Sequence, residues 1–409
     1  MDSMTDSTKA QDTHQPASAG SSKATELSRL GIKGIVRLTD MVESLHRRIH
    51  PLTGVRANAQ PERLSGISGS VYKNIRTITS LIGKSIEAPL DAITLALNTN
   101  PDSRTSQAML SALNGVVGDH LLTTLNPLAI SMQLRKNGQA LNNSELITLI
   151  EENNGKLLIL IHGLCMNDLQ WRQDEHDHGV KLAEELGLSV VYLHYNTGRH
   201  ISDNGQEFAE LLQSLSKLSP QTMQVYILAH SMGGLVARSA IEYAKSVDYS
   251  WPNTLKKLIF LGTPHHGAPL EKAGNWLDLV LANHHYTIPF ARLAKGRSAG
   301  ITDLRYGNLQ KSDWHNVDRF DYSGDLRSPI PLPTSVQCFA VATSATNSPS
   351  GFLGDGLVTI KSALGQHEQP AFNLCFEEKR TWVGTNINHM QLLSDAKVYQ
   401  ILKHWLAQD

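Results

Sequence analysis

From residue 156 onward the chain repeats one alternation, a short apolar run followed by an amphipathic segment. The runs are KLLILIHG (156–163), LSVVYLHYN (188–196), QVYILAHS (224–231), LKKLIFLGT (255–263) and SVQCFAVAT (335–343). Segments such as VKLAEELG and GQEFAELLQSL lie between them and carry the helical period. Each run is apolar throughout instead of alternating, so it predicts a strand buried on both faces. Strands of that kind, interleaved with helices, predict an α/β fold: a mostly parallel sheet with helices on both faces. The stretch 268–333, which contains WLDLVLANHHYTIPFARL, interrupts the rhythm and reads as an insertion carrying a partly apolar helix.

The 409 residues exceed one ordinary core, so more than one structural unit is expected. Residues 1–25 are polar and rich in Ser and Thr and read as a disordered tail. Residues 26–125 read as an N-terminal amphipathic helical region, and 126–409 as the main domain with its insertion at 268–333. Ile35, Leu38, Val42, Leu45 and Ile49 fall on one helical face. So do Ile67, Val71, Ile75, Ile78, Ile82 and Ile86, and a third pattern (Met109, Leu113, Leu121) follows an N-cap at Asp102-Ser103. Between residues 31 and 90 nine Lys/Arg stand against four Asp/Glu. That excess fits either a helical layer packed on the main domain or on another copy of itself, or a peripheral contact with an anionic membrane surface, the packed layer being favoured.

Whole-chain charge is −1, which gives no electrostatic case for nucleic acid. Three cysteines without paired spacing make a disulfide framework unlikely on arithmetic alone and point to a reducing, cytoplasmic compartment. The N-terminus has no apolar core of a secretory signal, and no run is long enough for a transmembrane helix.

Within the third run, Ala229-His230-Ser231-Met232-Gly233 differs by one methyl from G-x-S-x-G. A serine between a strand end and a helix start, with small residues two before and two after, is held clear of the sheet as a nucleophile. Its partners should follow in the order acid, then histidine. Gly354-Asp355-Gly356 offers Asp355, and Asn386-Ile387-Asn388-His389 offers His389. His389 is then the base and Asp355 the group that fixes its tautomer. Singly, Asp355 reads equally well as a turn aspartate, and His389 as a helix-start histidine; the order makes them a set. His162-Gly163-Leu164, after the first run, places the Leu164 amide as one oxyanion donor, and the Met232 amide is the other.

LILIHGLCMND, ILAHSMGGLVAR, FLGTPHHGAP and DGLV followed by INHMQLL resemble an α/β-hydrolase of the lipase and esterase kind. They are similar in particular to the bacterial true lipases and the GPI-inositol-deacylase-like group. The resemblance spans residues 155–409. It implies the α/β-hydrolase fold, a lid-like role for 268–333, and cleavage of carboxylic esters, lipid esters foremost, by an acyl-enzyme mechanism. The same triad would serve an acyltransferase, and a scaffold binding a membrane or partner through the N-terminal helices is the non-enzymatic alternative. No cofactor is implied. The true lipases place an acidic calcium ligand two residues after the histidine; here that residue is Gln391, so no calcium is carried over.

Asp174-Glu175-His176-Asp177-His178 contains a His-x-His pair, but nothing in the sequence completes a metal site, and a solvated loop or helix start is expected. His265 and His266 are read as loop-structuring, His284 and His285 as surface residues of the insertion, and Cys165 as packing. His230 is expected to point away from a site that Ser231 faces.

Overall fold

The computed structural model describes residues 103–173, 175–218, 223–268, 298–315, 325–348 and 354–408. The expectations for 1–25, for the first two helical patterns, and for the apolar core of the insertion with His284 and His285 lie outside the described residues.

Ten strands are described: β1 (Gln133–Lys136), β2 (Gln139–Ala140), β3 (Lys156–Ile161), β4 (Arg172–Gln173), β5 (His176–Asp177), β6 (Ser189–His194), β7 (Gln224–His230), β8 (Leu255–Leu261), β9 (Gln337–Ser344) and β10 (Thr381–Thr385). Eight of them form one sheet in the order β10-β9-β8-β7-β3-β6-β1-β2. From β10 to β6 every neighbour is parallel. β1 joins that edge antiparallel to β6, and β2 antiparallel to β1. The five apolar runs are five of these strands, and β3, β6, β7 and β8 are buried almost throughout. Each aliphatic side chain so enclosed contributes roughly 1.5–3 kcal/mol.

The helices are α1 (Arg104–Thr123), α2 (Asn143–Glu152), α3 (His178–Leu186), α4 (Ile201–Leu218), α5 (Met232–Ser246), α6 (Ala299–Asp303), α7 (Ile360–Ala363) and α8 (Ala396–Ala407). One sheet face, with Leu158, Leu160, Leu228, Ile259 and Phe339, packs on Leu182 of α3 and on Leu402 and Trp405 of α8. The other packs on α5, where Gly233 and Gly234 lie against Ile161 and Phe260. α8 starts at an Asp395 cap. Its last turn is fastened by the buried Lys257 of β8, whose ammonium donates to the carbonyls of Trp405 (2.9 Å), Leu406 (3.3 Å) and Gln408. A cation at a helix C-terminus is favourable in itself.

The chain leaves β3 for β6 on one side and returns to β7 on the other. The carboxyl ends of β3 and β7 therefore flank the point where the winding reverses, which is where open α/β sheets form a crevice. α1 begins at the expected cap, with the Ser103 side chain accepting from the Ser106 amide at 3.1 Å. It belongs to the same compact unit as the sheet, Ala96–Asp409. The described part of 26–125 is thus packed on the loops of the main domain, with Ala112, Leu113, Asn114 and Val116 fully enclosed.

Candidate active site

Ser231 sits between the last residue of β7 and the first of α5 with φ 54° and ψ −125°. A non-glycine residue held there costs about 1–3 kcal/mol and persists only where its surroundings enforce it. They do: the Ser231 amide donates to the Leu261 carbonyl of β8 (2.9 Å), and its carbonyl accepts from Gly234 (3.0 Å). Two residues on, a Cβ at Gly233 would stand 2.6 Å from the Ile161 carbonyl oxygen and 2.7 Å from that of His162. Those are main-chain atoms at the end of the central strand, which can shift only at a cost. Two residues back, Ala229 lies in β7 between Ile161 and Phe260, where the strand spacing accepts a methyl group. Gly233→Ala is accordingly expected to destabilise the fold by about 1–3 kcal/mol, read as a lower urea midpoint. An unchanged midpoint would show that the start of α5 can shift freely.

Asp355 and His389 come together at the loops after β9 and β10. His389 Nδ1 lies 2.7 Å from Asp355 Oδ2, with both side chains nearly sealed from solvent. The other carboxylate oxygen accepts from the amides of Leu357 (2.9 Å) and Val358 (2.8 Å), which fixes its orientation. The His389 amide donates to the Asp355 carbonyl at 3.0 Å, so the pair is also tied through the main chain. Gly262, at φ 55°, brings β8 against both: a Cβ there would be 2.9 Å from Asp355 Oδ2 and 3.2 Å from His389 Cε1.

His230 departs from expectation. It is fully buried, its ring centroid is 4.6 Å from that of His389, and its Nε2 lies 3.1 Å from the His389 carbonyl oxygen. Burial, reinforced by the neighbouring His389, holds its pKa well below the usual histidine value. It is therefore a neutral ring whose Nε2–H donates to that carbonyl, linking the residue before the serine to the histidine loop. Nothing in the local sequence signals this, because the partner is a distant main-chain atom.

The turn after β3 lies beside the serine, since a Cβ on Gly163 would be 3.0 Å from Ser231 Cβ. Leu164 and Met232 are buried, and among the described residues neither amide has a hydrogen-bond acceptor. Two unengaged amides flanking the serine, one of them at a helix N-terminus, form the kind of pair that receives an oxyanion. Cys165 follows at φ 60°, its amide on Thr197 Oγ1 at 3.1 Å. Burial pushes its thiol pKa up, so it is packing and not a nucleophile.

Behind this turn lies a polar group the sequence did not signal. The buried Asp168 carboxylate is 3.3 Å from Arg135 and 3.3 Å from His194. His162, stacked on Tyr195, is lowered by burial to about 3. His178 is the first residue of α3 and wholly buried, not solvated as expected; its Nε2 meets the Leu392 carbonyl at 3.1 Å and its Nδ1 meets His176 at 2.6 Å. His265 is enclosed beside Arg238 in the loop after β8. Among the described residues no group of three or more His, Cys, Asp or Glu side chains is placed to hold a metal ion, and no helix is long and apolar enough to cross a membrane.

A doubly covered, mostly parallel sheet with a strained serine at its winding reversal, and an aspartate–histidine pair on later loops, defines the α/β-hydrolase fold. The model of a family described as a domain of unknown function (DUF7379) matches residues 129–302, which include Leu164, Ser231 and Met232 but end before Asp355 and His389. No curated protein matches the chain. Among solved structures it is similar to the mature lipase BlEst2 of Bacillus licheniformis, with 16% identity over 62% of this chain and 92% of that one and a TM-score of 0.42. It is also similar to Aspergillus fumigatus lipase B, with 13% identity over 85% and 82% and a TM-score of 0.39. An esterase of Pyrobaculum calidifontis shares 12% identity over 65% and 88%, with a TM-score of 0.35.

Proposed function

We propose that the protein is a serine hydrolase that cleaves carboxylic esters, lipid esters foremost. The observation that carries this reading is the strained Ser231 coupled through His230 to a buried Asp355–His389 pair. Ser231 Oγ attacks the ester carbonyl carbon while His389 Nε2 takes its proton. Asp355 keeps the other proton on Nδ1 and stabilises the imidazolium. The developing oxyanion accepts from the Leu164 and Met232 amides. Collapse of the tetrahedral species expels the alcohol, which takes the proton from His389. Water, deprotonated by the same histidine, then releases the acid and restores the serine.

A fluorophosphonate probe should label the full chain, and Ser231→Ala should abolish both the labelling and the hydrolysis of p-nitrophenyl esters. Undiminished labelling in that variant would sink the assignment. Running the esters from short to long acyl chain sorts esterase from lipase, and a competing alcohol acceptor separates hydrolysis from acyl transfer.

A further inference from the structure

α1 makes contacts that a helix outside the catalytic apparatus has no reason to make. It lies across two loops at the carboxyl edge of the sheet and against the start of α6. On the loop after β3, Asn167 Nδ2 donates to Ser111 Oγ at 3.2 Å, and Cys165 Sγ lies 3.9 Å from the Ala112 carbonyl. On the loop after β6, Asn196 Nδ2 donates to the Gly118 carbonyl at 2.9 Å. On α6 and its cap, Ser298 Oγ donates to the Gly115 carbonyl at 2.6 Å, and the Ala299 amide donates to Asp119 at 3.0 Å. The helix is anchored from behind by the buried Asn114, which bonds the Leu128 carbonyl (2.8 Å) and the Ile130 amide (2.9 Å).

The close approach to the turn after β3 is at Gly115. A Cβ there would collide with Cys165 Sγ and stand 3.0 Å from both the Cα and the amide nitrogen of Cys165. A side chain is absent here, where α1 meets the main chain of the oxyanion turn. Cys165 is itself in the left-handed region, at φ 60°, and follows Leu164 directly. A non-glycine residue in that conformation needs support from its neighbours, and α1 on one side with Thr197 on the other supplies it.

The geometry points to α1 as the positioning element of the oxyanion turn, with Gly115 setting the distance and Ser111 the register through Asn167. This rests on the proposed ester hydrolysis, because it assigns the Leu164 amide its catalytic direction. Neither Gly115 nor Ser111 touches the reacting atoms. Both act through residues 164–167, and displacing a donor by a fraction of an ångström to 1 Å is a loss of rate more than of binding.

The test uses the full chain and a p-nitrophenyl ester that the parent hydrolyses. Gly115→Ala should lower kcat by about 10- to 100-fold and leave KM within about twofold, since the donor acts on the oxyanion and not on the ground-state ester. A trifluoromethyl ketone, whose serine adduct carries the same oxyanion, should lose affinity in proportion to kcat/KM. Adding Cys165→Gly to Gly115→Ala removes the sulfur that the new methyl meets and should restore most of the rate. Ser111→Ala, a milder change, should lower kcat by about threefold with the same ratio of effects. A folded Gly115→Ala chain with kcat within twofold of the parent overturns the proposal, as does a loss confined to KM or left unrestored by Cys165→Gly. If Gly115→Ala does not fold, Ser111→Ala decides by the same readouts, and an unchanged kcat there overturns the proposal. A parent chain inert to both ester and fluorophosphonate would instead overturn the hydrolase reading.

Discussion

Asp355→Asn is expected to lower kcat/KM by about 10⁴ while leaving the fold in place. The reason lies in the two ends of the carboxylate. Oδ1 accepts from the Leu357 and Val358 amides, so an asparagine must turn its oxygen to that side. Its NH₂ then faces His389 Nδ1, 2.7 Å away, where a donor now stands and an acceptor is required. His389 can avoid two opposed donors only by moving its proton to Nε2, which leaves it unable to take the serine proton. Steady-state rates with a p-nitrophenyl ester, alongside a thermal melt, measure both halves. A loss under tenfold would mean that His389 is oriented by something other than Asp355. A melt lowered in parallel with the rate would mean that the carboxylate acts through the fold.

The second large effect is on stability in mild acid. His162 and His178 are wholly buried, and burial lowers each to about 3 from an unfolded value near 6.5. His230 and His265 are depressed by the same cause. Between about pH 6.5 and 3 the unfolded chain binds protons that these native rings refuse, so stability falls as pH falls. For His162 and His178 together the loss from pH 6.5 to 5 is roughly 3 kcal/mol. Asp168, whose charged form is favoured by His194 and Arg135 despite its burial, adds a loss of the same sign at lower pH. Asp303, raised by burial, works the other way but is one group. Urea midpoints measured from pH 8 to 5 should drop steeply below about pH 6.5. A flat profile over that range would show that these rings are protonated in the native state or reached by solvent.

The strands that carry the site were legible because they are apolar on both faces. β3, β6, β7, β8 and β9 fall where the runs predict them, ending within three residues of the predicted bounds. The strands at the two margins were not: QLRK (β1), which pairs with β6 and β2, and the edge strands QA (β2) and TWVGT (β10) are short or polar, because an edge strand has one neighbour and the margin of the sheet is wetter than its centre. Ser231 was legible since its strain demands small residues at fixed offsets, and Asp355 and His389 through their order along the chain. The role of His230 was hidden because an imidazole bonded to a main-chain carbonyl leaves no pattern in spacing. The helical period of α1 showed a helix but not what it packs on. Gly115 and Gly118, inside an otherwise apolar helical face, were the available signal of close approach.

The grip of Lys257 on the last turn of α8 has a consequence for the order in which the molecule becomes competent. The Ser231 turn and the turn after β3 belong to strands translated early, and both precede or adjoin β8 in the chain. The loop bearing His389 is held between β10 and α8, and α8 is seated by a lysine that waits on β8 for carbonyls made much later. During synthesis the nascent chain can thus display a strained serine with no base beside it. On the proposed mechanism, the base reaches the serine only once α8 has left the ribosome and docked. On that mechanism a partly made chain carries the nucleophile without its base, and the amine of Lys257 helps to seat the helix that follows the base.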